Sequence, residues 1–282
     1  MLLRTFARMT INRWCWIFLL STTLSLFAQD TPPVQDVLNT AKPHGAFKGG
    51  EWFKFRIHYG IFNASYATIE LTEEVWENQA VFHARGVGKT TGIARWFFKV
   101  DDYYDSYFTK GGAVRPLFFI RNINEGGYKK NLNIRFDHEN SKAYVHDILK
   151  EKQGVFDTDT NIQDLISCVY YLRNQLDASS IKKDSFVVVN LFFDEENYAF
   201  KFRFLGRETI KTKFGRVNAL KFRPYVQSGR VFRSSESITL WVSDDENKIP
   251  LRMQADLRVG SITADLEAFK GLKNQFKIVV SN

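Results

Sequence analysis

The residues best suited to chemistry are Gly86-Val87-Gly88-Lys89-Thr90-Thr91, which follow a strand-like run and imitate a loop that cradles phosphate. In such a loop the lysine reaches the β- and γ-phosphates and the hydroxyl binds Mg²⁺. Phe192-Phe193-Asp194-Glu195 offers a strand end of the kind that holds the metal. The full pattern needs a glycine five residues before Gly88, and His83 stands there. Without βαβ units around it the segment reads as a turn, and neither a nucleotide nor a cofactor is expected. The five histidines, at 44, 58, 83, 138 and 146, never fall at metal-ligand spacing, so no metal is expected. There is no Gly-x-Ser-x-Gly elbow, and Cys168 lies at the edge of a helical apolar face, where a thiol packs rather than reacts. No catalytic residue is identified, and the chain reads as non-enzymatic.

The remaining oddity is Arg173. In Thr160 to Leu176 the apolar residues Ile162, Leu165, Ile166, Val169, Leu172 and Leu176 recur at helical spacing, predicting an amphipathic helix over about 160–176. Thr160 followed by Gln163 reads as its capping box. At 100° per residue Arg173 falls about 20° from Ile162, inside the apolar stripe. A buried guanidinium needs a partner, and Asp101, Asp102, Asp105 and Glu125 are candidates because they interrupt aromatic-rich strands. Two roles follow: a clamp between helix and sheet, or the floor of a pocket for an anionic ligand. Arg173, Tyr170, Asp102 and Glu125 are the candidate binding residues.

The elements that must position them are strands. Seven runs precede the helix, from Trp52–Tyr59 to Ala143–Leu149, and six follow it, from Ser185–Phe193 to Ser261–Phe269. Tyr198, Phe200, Phe202 and Phe204 alternate with Lys201 and Arg203, as expected of a sheet with one buried face. Ser185–Phe193 is apolar on both faces, and the helix before it is the expected cover. The fold class is all-β, mainly antiparallel: a strongly curved sheet or barrel-like meander with one amphipathic helix packed on or in it.

Arg4, Arg8 and Arg13, the apolar run Trp14–Leu20 and the small residues up to Ala28 predict a signal peptide over 1–28, cut near Ala28. Cys15 precedes the apolar run, so the product is not expected to be a lipoprotein. Residues 29–49 read as a flexible leader and 50–282 as a single β-rich domain, with no transmembrane span after cleavage. Losing the signal, with its three arginines and no acid, lowers the net charge from +8 to +5, too small an excess to argue for nucleic acid. Cys168 is then the sole cysteine, so stability rests on packing by an aromatic-rich core rather than on disulfides. Strand cations such as Lys54, Arg56, Arg121, Arg252 and Arg258 suit either anionic head groups or protection of sheet edges.

Gly50-Glu51 before Trp52–Gly60, Asp101-Asp102-Tyr103-Tyr104-Asp105-Ser106-Tyr107 and Glu125-Gly126-Gly127-Tyr128 resemble the bacterial exported proteins grouped as domain of unknown function 3108. Asp164-Leu165-Ile166-Ser167 with Tyr170-Tyr171-Leu172-Arg173 looks like that family's helix, and Trp241-Val242-Ser243-Asp244-Asp245 with Ile249-Pro250-Leu251 like its C-terminal strands. The resemblance covers about 50–269. It implies an exported β-rich domain and supplies no catalytic residues. Together these readings place the chain in the periplasm of a Gram-negative cell envelope. There it would bind a hydrophobic or amphipathic envelope component, a lipid for instance, in a β-barrel-like concavity. An assembly factor contacting an envelope protein is the alternative, and a hydrolase acting on an envelope substrate, needing two carboxylates across one cleft, is the third reading.

Overall fold

The computed structural model describes residue 38 and residues 45–92, 94–97, 99–225 and 238–280. The signal segment 1–28 and the leader up to residue 44, apart from Leu38, lie outside the described residues. Among the described residues fourteen strands form one antiparallel sheet. The first run comprises β1 (Glu51–Tyr59), β2 (Phe62–Trp76), β3 (Gln79–Thr90), β4 (Asp101–Thr109), β5 (Pro116–Glu125), β6 (Tyr128–Asp137), β7 (Lys142–Asp147) and β8 (Lys152–Asp157). A one-turn helix, α1 (Ala94–Phe97), lies between β3 and β4, and helix α2 (Ser167–Gln175) follows β8. The second run is β9 (Phe186–Phe193), β10 (Glu196–Thr212), β11 (Gly215–Tyr225), β12 (Ile238–Ser243), β13 (Pro250–Asp256) and β14 (Ser261–Lys270).

Each strand pairs with the next in its run, and β14 returns to pair with β1. The free edges are therefore β8 and β9, the two strands that flank α2 in the chain. The sheet curls until these edges approach. Phe192 of β9 meets Phe136 of β6 edge-on at 6.0 Å and lies 6.1 Å from Phe156 of β8, while Asn197 donates to the Asp157 carbonyl at 2.9 Å. No ladder joins β8 to β9 among the described residues, so the architecture is a curved open sheet with barrel-like form. A bulge in β10, with Gly206 at φ +123°, helps the bend, since a side chain there would be strained.

The helix is shorter than its apolar period predicts, starting at Ser167 rather than near 160. The backbone of Gln163 is held by the free edge of β9: its N–H donates to Asn190 O at 2.8 Å, and its carbonyl accepts from Phe192 at 2.9 Å. Thr160 and Gln163 therefore form no capping box. Asp164 does that work, its Oδ1 accepting the N–H groups of Ile166 and Ser167, both at 2.8 Å. In return Ser167 Oγ accepts the Asp164 N–H at 2.9 Å. Ser106 of β4 donates to the other carboxylate oxygen at 2.6 Å, tying the cap to the sheet.

The sequence reading misses β8, a short edge strand with weak alternation. It also makes β9 rely on the helix alone; Phe192 is covered instead by Phe136 and Phe156, on the face opposite Leu191 and Phe193. The Gly86–Thr91 motif is no phosphate loop and no turn. Gly86, Gly88 and Lys89 pair within β3, with β2 on one side and β4 on the other. A Cβ on Gly86 would stand 3.1 Å from Ile166 Cδ1, so the glycine lets the start of α2 approach the sheet.

Candidate functional site

Helix α2 has two apolar faces with different surroundings. On one, Tyr170 packs against Phe47 at 4.9 Å and Phe108 at 5.2 Å, in a core that continues through Leu132, Ile134 and Phe136. Ala46 and Phe47, placed in the leader by the sequence reading, are buried there. On the other face Leu165, Cys168, Val169 and Leu172 border a cavity of about 790 Å³. Its far wall is Phe55 and Ile57 of β1, Phe200 and Phe202 of β10, and Leu240 and Val242 of β12. These are alternate residues on the concave face, as strand geometry requires.

The cavity has two unlike ends. Asn197 and Ala199, beside the β9–β10 turn, and Met253 line it and are exposed, so it opens to solvent there. Arg173 and Lys248 stand at the other end, Lys248 in the β12–β13 connection. Glu51 and Ile57 bracket this span along β1, a length of about 20 Å at 3.3 Å per residue.

Arg173 is 3 % exposed and fully engaged. It holds Glu51 with two parallel bonds, Nη1 to Oε1 at 2.5 Å and Nη2 to Oε2 at 2.8 Å, and its Nε donates to Asn247 O at 2.9 Å. Phe47, Phe53 and Tyr170 pack around the guanidinium at 5.3–5.7 Å. Next to it, Asn174 accepts from the Gly45 N–H at 2.8 Å, so the end of α2 fastens the chain leading into β1 and the β12–β13 connection at one point. The partner is Glu51, not the four acids expected from sequence. Asp101 is bound by Arg95, and Asp105 lies 2.7 Å from both His83 and Arg85.

Asp102 and Glu125 do come together, on neighbouring strands, but neither they nor Tyr170 line the cavity. Burial, and then the adjacent Glu125 carboxyl, push Asp102 up to about 6, against the Asn124 N–H that it accepts. Tyr170 is sealed in the core with its hydroxyl unpartnered. Burial pushes the Cys168 thiol up to about 12, which leaves it unreactive at neutral pH. Among the described residues no cluster of His, Cys, Asp or Glu is arranged to hold a metal, and no helix is long and apolar enough to cross a membrane. Many of the strand cations are paired, including Arg121 with Asp194, Arg135 with Glu77 and Arg252 with Asp265.

Sequence reasoning missed Lys248. It is 6 % exposed, lines the cavity, and among the described residues its ammonium has no hydrogen-bond or ion-pair partner. Burial lowers its pKa below the ordinary lysine value; Asp245 opposes that shift and Arg173 adds to it. Only its place after an Asp-rich turn was visible in the sequence, and that spelled solvent.

The sequence profile of the family described as protein of unknown function (DUF3108) matches residues 54–267. A β-barrel-like protein of domain of unknown function DUF1849 from Brucella abortus is similar in fold, with TM-score 0.52 and 12 % identity over 81 % of this chain and all of that one. A protein named as a candidate lipoprotein from Parabacteroides distasonis aligns over 84 % of this chain and all of its own at 13 % identity, but its TM-score of 0.34 is too low to bear on the fold. No curated protein matches the chain.

Proposed function

We propose that this chain, which belongs to the DUF3108 family of proteins of unknown function, is a non-enzymatic binding protein that holds a hydrophobic or amphipathic molecule inside its curved sheet. The carrying observation is the cavity of about 790 Å³ between α2 and the concave face. That is the size of a small-molecule site, and its walls are almost wholly hydrocarbon. A well-packed interior leaves few voids larger than a water molecule, so an apolar space of this volume is a site kept open rather than a packing fault. Each methylene buried in it contributes about 0.8 kcal/mol. Segment 1–28, read as a signal, would deliver the domain to the periplasm, where the hydrophobic components of the envelope are its natural ligands.

Titration of the purified domain with an environment-sensitive apolar dye tests the reading. Saturable binding of one dye per chain, competed by long-chain amphiphiles and weakened by Val169→Trp, is expected. Failure of any apolar probe to bind the folded protein would remove the reading.

A further inference from the structure

The cavity's closed end has a polarity that the apolar walls do not explain. Two cations line it, Arg173 and Lys248, and only one is neutralised. Glu51 takes both terminal nitrogens of Arg173. The acids nearest Lys248, which are Asp245, Glu246 and Asp177, are already engaged, Asp177 accepting from the Ser179 N–H at 2.9 Å and its hydroxyl at 2.6 Å. Asp245 accepts from Ser243 Oγ at 2.7 Å and from the N–H groups of Asn247 at 3.0 Å and Lys248 itself at 3.1 Å, and Glu246 pairs with Lys277 at 2.8 Å. Lys248 is thus a largely buried residue lining the cavity, and among the described residues nothing receives its ammonium protons. An uncompensated buried charge is costly, and a site that carries one is built for a partner of opposite sign.

The backbone fixes where the side chain starts. Lys248 has φ +47°, a left-handed conformation that side-chain-bearing residues rarely adopt. The Asp245 carboxylate holds it there, so the lysine stem is aimed by the turn rather than left free.

From this geometry we infer that the ligand is a single-chain amphiphile with an anionic head, its carboxylate or phosphate oxygens meeting Lys248 at the closed end and its hydrocarbon chain running toward the opening. The inference rests on the binding reading above and sharpens it to a ligand class. Placing the head inside and the tail outward follows from the order of the lining: cation at the β12–β13 connection, hydrocarbon along the strands, solvent beyond Asn197 and Met253.

The test compares hexadecanoic acid, lysophosphatidic acid and hexadecanol, each displacing the same apolar dye from the wild-type domain, from Lys248→Met and from Lys248→Arg. In the wild type at least one acid binds roughly tenfold or more tighter than the alcohol, the value of a charge-assisted hydrogen bond. Lys248→Met, which keeps the stem and loses the charge, abolishes that preference and leaves the alcohol unchanged or tighter; Lys248→Arg retains it. The acid that loses more identifies the head group. Equal binding of acids and alcohol by the wild type, or a preference that survives in Lys248→Met, overturns the inference while the binding reading stands. Absence of binding by all three, and by the dye, overturns the binding reading itself. The wild-type comparison is decisive even where a variant folds poorly.

Discussion

The two sides of α2 present the same kind of residue to opposite parts of one sheet, with opposite results. Toward β2–β7, aromatic and aliphatic side chains from both partners interdigitate, and Tyr170 and Phe108 are almost wholly buried. Toward β1 and β9–β14 the wall residues are equally apolar, yet they stand back across about 790 Å³. Apolar patterning therefore does not by itself mean a filled core. One half of the sheet holds the helix in place, and the helix holds the other half open.

The largest effect should come from the point where those halves meet. Glu51→Ala or Arg173→Met leaves one charge of the buried pair without its partner and is expected to cost about 3–5 kcal/mol, read by denaturant unfolding. Replacing both with apolar residues should recover much of that. Unchanged stability in Arg173→Met would mean that the residue is no clamp. Next in size is the same substitution made on the two sides. Leu132→Ala, in the packed half, should lose about 2–5 kcal/mol. Leu172→Ala, at the cavity wall, removes fewer packing contacts, so it should lose less stability and show itself in dye affinity instead.

The sequence made the strands legible because alternation is a local signal. Tyr198, Phe200, Phe202 and Phe204 declare a buried face without any knowledge of what lies opposite. Partners distant in the chain were not legible. Glu51 stands 122 positions before Arg173, at the very start of the first strand, where nothing local marks it as the partner of a distant cation. The start of the helix was misplaced: Thr160 with Gln163 has the capping-box pattern, but the free edge of β9 takes the Gln163 backbone and Asp164 caps the helix instead. Lys248 gave no signal because a lysine beside an acidic turn is ordinarily solvated. Only the folded β12–β13 turn, held by Asp245, directs it to the cavity.

Smaller effects test the cap and the outer face. Asp164→Ala should cost about 1–2 kcal/mol by releasing the first N–H groups of α2. Burial pushes Asp164 up to about 6, against its Ser106 and backbone hydrogen bonds, from an ordinary 3.8. The native state then keeps this proton longer than the unfolded chain does. Its contribution to stability is greatest below 3.8 and declines as pH rises through about 6, a slope that Asp164→Asn should remove. His83 lies between Asp105 at 2.7 Å and Glu74 at 2.8 Å. Burial pulls its pKa down, but the two carboxylates prevail and raise it above 6.5. Its stabilisation is fully present below 6.5 and disappears as pH rises through the raised value, so His83→Gln should flatten the unfolding profile across that window.

The central claim, that the space beside α2 is a binding site rather than an unfilled core, is tested most directly by gentle mass spectrometry of the chain purified from the cells that naturally make it. One amphiphile per chain, released by Val169→Trp, is the predicted result. A ligand-free protein of unperturbed fold that takes up no apolar probe when challenged would contradict it.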